Sequence, residues 1–110
     1  MFFAHFVFDA LPGKREAAIA AMKQAMAETR GEAGCILYTF SADLEQPDRF
    51  HLAEIYESQE AFEDHVDAPY AAPFVDLMAE CVRPAFMHAV AGPVSEAPFR
   101  KAGTPRPAAT

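Results

Sequence analysis

Residues 49–70 read RFHLAEIYESQEAFEDHVDAPY. Phe50, Leu52, Glu54 and Tyr56 fall on one side of an extended chain, and His51, Ala53, Ile55 and Glu57 on the other. This spacing predicts a half-buried strand over residues 50–57. Ser58 is a good N-cap, Glu60 suits the positive end of a helix, and that helix runs to about Asp67, before Pro69 stops it. A carboxylate (Glu54), an imidazole (His65) and two phenols (Tyr56, Tyr70) therefore gather around one strand-to-helix junction. The remainder of the chain reads as the box around it.

Upstream, residues 34–44 form a second strand, in which Cys35, Leu37 and Thr39 alternate with Ile36, Tyr38 and Phe40. The turn Glu45-Gln46-Pro47-Asp48 is short enough to make these two strands an antiparallel hairpin. Residues 14–31 carry Ile19, Met22 and Met26 at helical spacing, with alanines filling the same stripe and Lys23, Gln24 and Glu28 outside it. Residues 2–10 form a first strand, apolar on both faces, that ends at Leu11-Pro12-Gly13. Downstream, a second helical piece starts near Pro73 and sets Phe74, Leu77, Met78, Cys81 and Val82 at helical spacing. Residues 84–93 give a fourth strand with Phe86, His88 and Val90 on one face.

The order is β-α-β-β-α-β, the ferredoxin-like α+β arrangement. Helices cover one face of the sheet, and the other face is also apolar. Pairing two sheets in a homodimer, as a dimeric α+β barrel, is the expected solution. Residues 1–94 are expected to be the domain. Residues 95–110, rich in proline and alanine and carrying Arg100, Lys101 and Arg106, are expected to be a tail, flexible or packed on a partner subunit.

Composition narrows the partners. The chain has 110 residues, 52% of them hydrophobic, with a formal charge of −7. That much negative charge repels nucleic acid and anionic membranes. No apolar run approaches the roughly 20 residues needed to cross a bilayer. The N-terminal MFFAHFVFDA lacks the basic flank of a signal peptide, so a cytoplasmic protein is expected. Cys35 and Cys81 match no metal or redox spacing and read as buried, reduced packing residues.

The chemistry concentrates on His65. An imidazole titrates near neutrality and can take a proton from a phenol or enol; the plainer reading is a core or capping histidine. Glu54 lies on an apolar face and needs a partner, since an isolated buried carboxylate costs several kcal/mol. That partner is either His65 or an arginine such as Arg49 or Arg83. Tyr38, Tyr56 and Tyr70 can each donate to a substrate oxygen or simply pack. Phe62, Phe74, Leu77 and Met78 read first as core and, around a cavity, as walls for a flat aromatic ligand. No metal is expected: His51 and Glu54 face opposite ways, and no ligand motif is present. No glycine-rich phosphate loop signals a nucleotide or flavin.

Several segments occur in an ordered set: PGKREA at 12–17; Thr29, Arg30, Glu32, Gly34, Cys35 and Tyr38; Asp43, Pro47, Arg49 and Phe50; Leu52, Glu54 and Tyr56; Ala61, Phe62 and His65. In these the chain resembles the antibiotic biosynthesis monooxygenase family of dimeric α+β-barrel proteins, particularly its small quinol-monooxygenase-like members. The resemblance implies a cofactor-independent monooxygenase that oxidises a quinol or polyphenolic aromatic with O2. His65 would be the base, Glu54 its support, and Tyr38 or Tyr70 the holder of the substrate oxygen. Haem-degrading relatives resemble an Asn–Trp–His arrangement, and this chain has neither Asn nor Trp. Two alternatives stay open: an isomerase or lyase that enolises a small carbonyl compound, and a non-catalytic dimeric ligand-binding module.

Overall fold

A computed structural model describes residues 1–83, 88–95 and 99–108. Its elements are β1 (Phe2–Asp9), α1 (Arg15–Thr29), β2 (Cys35–Ala42), β3 (Arg49–Tyr56), α2 (Gln59–Val66), α3 (Ala71–Cys81) and β4 (His88–Pro93). The strands form one antiparallel sheet in the order β2-β3-β1-β4. This is the expected ferredoxin-like α+β fold. The fourth strand is observed from His88, and the part of its expected range over 84–87 lies outside the described residues.

β3 follows its sequence pattern. Phe50, Leu52, Glu54 and Tyr56 are buried beneath the helices, and the residues between them are half-buried on the outer face. On β1 the same inner face carries Phe2, Ala4 and Phe8, with Ala4 directly opposite Glu54. α1 closes over this face through Ala18, Ala21, Met22 and Ala25, which pack in one cluster with Met78 and Cys81 of α3. Alanine makes that approach close: small side chains let a helix sit near the sheet, and alanine is the strongest helix former. Ile19 and Met26 only flank this cluster, so the buried stripe is mainly one of alanines.

The outer helical layer is split. Ser58 caps α2, its Oγ accepting the Ala61 N–H at 3.1 Å. The backbone then turns at Asp67–Ala68 before Pro69 and restarts as α3 at Ala71. The break brings the Tyr70 hydroxyl to Thr29 of α1 and its ring to His65 of α2.

One expectation is corrected. The alternation expected on β2 put Cys35 with Leu37 and Thr39. A bulge between Cys35 and Leu37 inserts Ile36 as an extra residue, so Cys35 pairs with Tyr56, Tyr38 with Glu54 and Phe40 with Leu52. Cys35, Tyr38 and Phe40 therefore share the helix-covered side, while Ile36 and Leu37 stand exposed. A single added residue shifts the two-residue side-chain period across the sheet.

Candidate active site beneath the helices

Glu54 is the most unusual residue of the sheet, a carboxylate only 3% exposed. Its Oε1 accepts a 2.6 Å hydrogen bond from the Tyr56 hydroxyl, two residues along the same face. The same oxygen lies 3.5 Å from His65 Nε2. Burial raises the Glu54 carboxyl above its ordinary range; the Tyr56 bond and His65 pull the other way, and the negative charge of Glu32 adds to the rise. The choice left open by the sequence is thereby resolved. Arg49 and Arg83 both reach Asp9, at 2.9 and 3.9 Å, and neither partners Glu54.

His65 stands one turn beyond Ala61 on α2, with its side chain 12% exposed. Its ring is surrounded by phenols: the centroids of Tyr56, Tyr38 and Tyr70 lie at 5.4, 5.5 and 6.2 Å. Its Nδ1 contacts Glu32 Oε2 at 3.0 Å. A carboxylate–imidazole–carboxylate chain thus runs inward from the loop after α1 to the floor of the sheet.

Two of the tyrosines, Tyr38 and Tyr56, are held in the neutral form. Burial, seconded by the charge of Glu54, raises the Tyr38 phenol, against the opposing effect of its hydrogen bond with Thr29. Burial and the bond to Glu54 raise the Tyr56 phenol further. Tyr70 donates to Thr29 Oγ1 at a long 3.4 Å. Burial and the charges of Glu32 and Glu54 raise the Cys35 thiol above its ordinary range, against a smaller opposing effect of Arg30.

The walls expected from the sequence divide. Phe62 packs against Phe2 in a tilted arrangement, with ring centroids 4.8 Å apart, and meets Tyr56 edge-on. Met78 is core. Phe74 packs on Phe40 and lines a cavity of about 200 Å³ between α1 and α3, together with Ala21, Ala25, Tyr70, Pro73 and Leu77 and the polar Gln24 and Glu28. That cavity meets the polar cluster only at Tyr70. Glu32 and Thr29, which complete the cluster, were not singled out for chemistry by sequence reasoning. Both lie in the segment Thr29–Tyr38 whose residues carry the family resemblance, and that was the only signal pointing to them. Arg30, from the same segment, is structural: it C-caps α1, and its Nε donates to the Tyr38 carbonyl at 3.1 Å.

The fold and this enclosed cluster define a small ferredoxin-like α+β protein with an acid–base group under its helices. The family model described as antibiotic biosynthesis monooxygenase matches residues 1–77, and the chain belongs to that family. An uncharacterized protein of Synechocystis is 33% identical over 73 residues, a match spanning 63% of this chain and 50% of that protein. The chain thus spans about half the length of this curated relative. Among solved structures, a Deinococcus radiodurans protein named for the same monooxygenase family superposes with a TM-score of 0.83 at 24% identity, covering 92% of this chain and 99% of that one. A Shewanella oneidensis protein gives 0.76 at 29% identity, with 83% and 87% covered. A Mycobacterium tuberculosis protein gives 0.78 at 22% identity, with 88% and 98% covered. The Deinococcus and Mycobacterium likenesses are of fold.

Proposed function

We propose that this chain is a monooxygenase that oxidises a hydroquinone or related polyphenolic ring with O2, without metal or flavin. The observation that carries the reading is the placement of His65 Nε2 3.5 Å from the buried Glu54, inside a ring of three tyrosines. His65 takes the proton of a ring hydroxyl, and the resulting imidazolium is stabilised between two carboxylates. The electron-rich phenolate reduces O2, and a ring carbon bonds one oxygen as a hydroperoxide. Loss of water from that group leaves the hydroxylated quinone. One hydroquinone and one O2 give one hydroxyquinone and one water, with all four electrons supplied by the substrate. Enclosure by the helices keeps bulk water from the oxygenated intermediate.

The cluster is rich in carboxylates and phenols, which favours an uncharged aromatic over an anionic one. The apolar outer side chains Ile36, Leu37 and Val90, all exposed on the single chain, support a homodimer closed sheet against sheet. The free thiols Cys35 and Cys81 suit a reducing, cytoplasmic setting. No helix among the described residues is long and apolar enough to cross a membrane.

Oxygen uptake with a panel of hydroquinones tests the reading. The expected result is one O2 consumed per quinol, falling by about a hundredfold or more in His65→Ala. Equal uptake by the variant removes His65 from the mechanism, and turnover without oxygen replaces oxygenation by enolisation of a carbonyl compound on the same pair.

A further inference from the structure

His65 meets a carboxylate at each ring nitrogen, and the two carboxylates are not equivalent. Glu54 belongs to the sheet floor, with its side chain 4% exposed; Glu32 lies on the loop between α1 and β2, with its side chain 22% exposed. That loop is pinned on both sides. The Glu32 N–H donates to the Thr29 carbonyl at 3.0 Å, and the Glu32 carbonyl accepts from the Cys35 N–H at 3.2 Å. The carboxylate is therefore held in place by backbone bonds and not drawn in by the histidine alone.

A carboxylate open to water offers only acceptors, so its 3.0 Å contact requires the hydrogen to sit on Nδ1. In the neutral ring that leaves the lone pair on Nε2. Nε2 is the nitrogen turned to the buried end, 3.5 Å from Glu54 Oε1. Without Glu32 the preference would reverse: Nε2–H is the common form of imidazole in water, and Glu54 would accept that hydrogen. The other polar groups around the ring are Thr29 from α1, Tyr38 and Cys35 from β2, Tyr56 from β3, and Tyr70 ahead of α3. Among the described residues none of these is hydrogen-bonded to Nδ1, whose acceptor is the Glu32 carboxylate.

The geometry points to Glu32 as the positioning residue of this site: it fixes the Nδ1–H tautomer of His65 and so makes Nε2 the atom that accepts a proton at the buried end. The tautomer follows from the contacts alone. The identity of the proton donor, a substrate hydroxyl, rests on the monooxygenase reading.

The test is nitrogen NMR of histidine-labelled protein under mildly alkaline conditions, with the His65 signal assigned by its loss in His65→Gln. The expected result is Nδ1–H in the unmodified protein and a switch to predominantly Nε2–H in Glu32→Ala. Glu32→Gln, which keeps an acceptor oxygen at nearly the same place, should retain Nδ1–H and guards against misfolding of the alanine variant. Nε2–H in the unmodified protein, or Nδ1–H unchanged in Glu32→Ala, overturns the proposal. In oxygen uptake, Glu32→Ala should lower kcat at least about tenfold with KM unchanged, and Glu32→Gln should recover part of the loss. Because the NMR result needs no turnover, a protein that shows the tautomer switch but consumes no oxygen refutes the monooxygenase reading alone. One that turns over without the Nδ1–H form refutes the role of Glu32 alone.

Discussion

Gly34→Ala is expected to damage the site from a distance. A Cβ built on Gly34 would lie 2.6 Å from the Ala61 Cβ on α2, where ordinary contact begins near 3.4 Å. A gap of about 0.8 Å must therefore open. β2 cannot supply it, because the Gly34 carbonyl accepts the Glu57 N–H at 2.9 Å and ties the strand entry to the end of β3. α2 must move instead, and His65 sits on the next turn of the same rigid helix. Its Nε2 would be carried beyond the present 3.5 Å from Glu54. Overpacking of this size costs about 1–3 kcal/mol, measurable as a lower urea midpoint at unchanged slope. An ångström of misplacement costs about a hundredfold in rate, so oxygen uptake should fall by tens of fold. Ala61→Gly alone should cost about 1 kcal/mol through helix propensity, yet combined with Gly34→Ala it should restore stability. A coupling of about 1 kcal/mol or more in that cycle is the expected signature. If the two changes add independently, or if Gly34→Ala is neutral, the close approach of β2 to α2 is not what locates His65.

Two further outcomes follow from charge. Glu54 has its folded pKa raised by burial, so its ionised form opposes folding: that cost is absent at acid pH and grows as pH rises through the folded pKa. Glu54→Gln should therefore raise the Tm at neutral pH, with the gain shrinking toward acid, while it abolishes activity. Asp9 has its folded pKa lowered, chiefly by the hydrogen bond from Arg49, so it contributes stability above the unfolded pKa that is lost as pH falls through the folded one. Asp9→Asn should cost about 1 kcal/mol at neutral pH, given the partial exposure of the pair, and little under acid conditions; equal loss at both pH values would place the effect in packing.

The fold was legible where one physical signal acted alone. The alternation in β3, the Ser58 cap and Pro69 each dictate a local conformation, and their order leaves few topologies. His65 and Glu54 could be paired because both follow from those periodicities. The face of β2 was misread because a bulge leaves no mark in composition: Ile36 is as apolar as its neighbours. Glu32 was passed over because a loop residue has no period, and its role depends on a turn placing it beside a helix distant in sequence. The arginines were plausible partners for Glu54 by charge alone. Strand register decided against Arg49, which faces Asp9 across β1 and β3, and Arg83 reaches the same aspartate.

The bulge also separates two kinds of inherited change. Ile36 is 53% exposed, so many residues could stand in its place with small effect on the sheet. Its loss is another matter. Deleting it would remove the offset between Cys35 and Leu37, and either Cys35 or the whole of the strand after it would then turn to the opposite side of the sheet. In the second case Tyr38 and Phe40 would be carried into solvent and Leu37 and Thr39 driven under the helices. At this position a substitution leaves the register of the sheet intact, whereas a deletion does not.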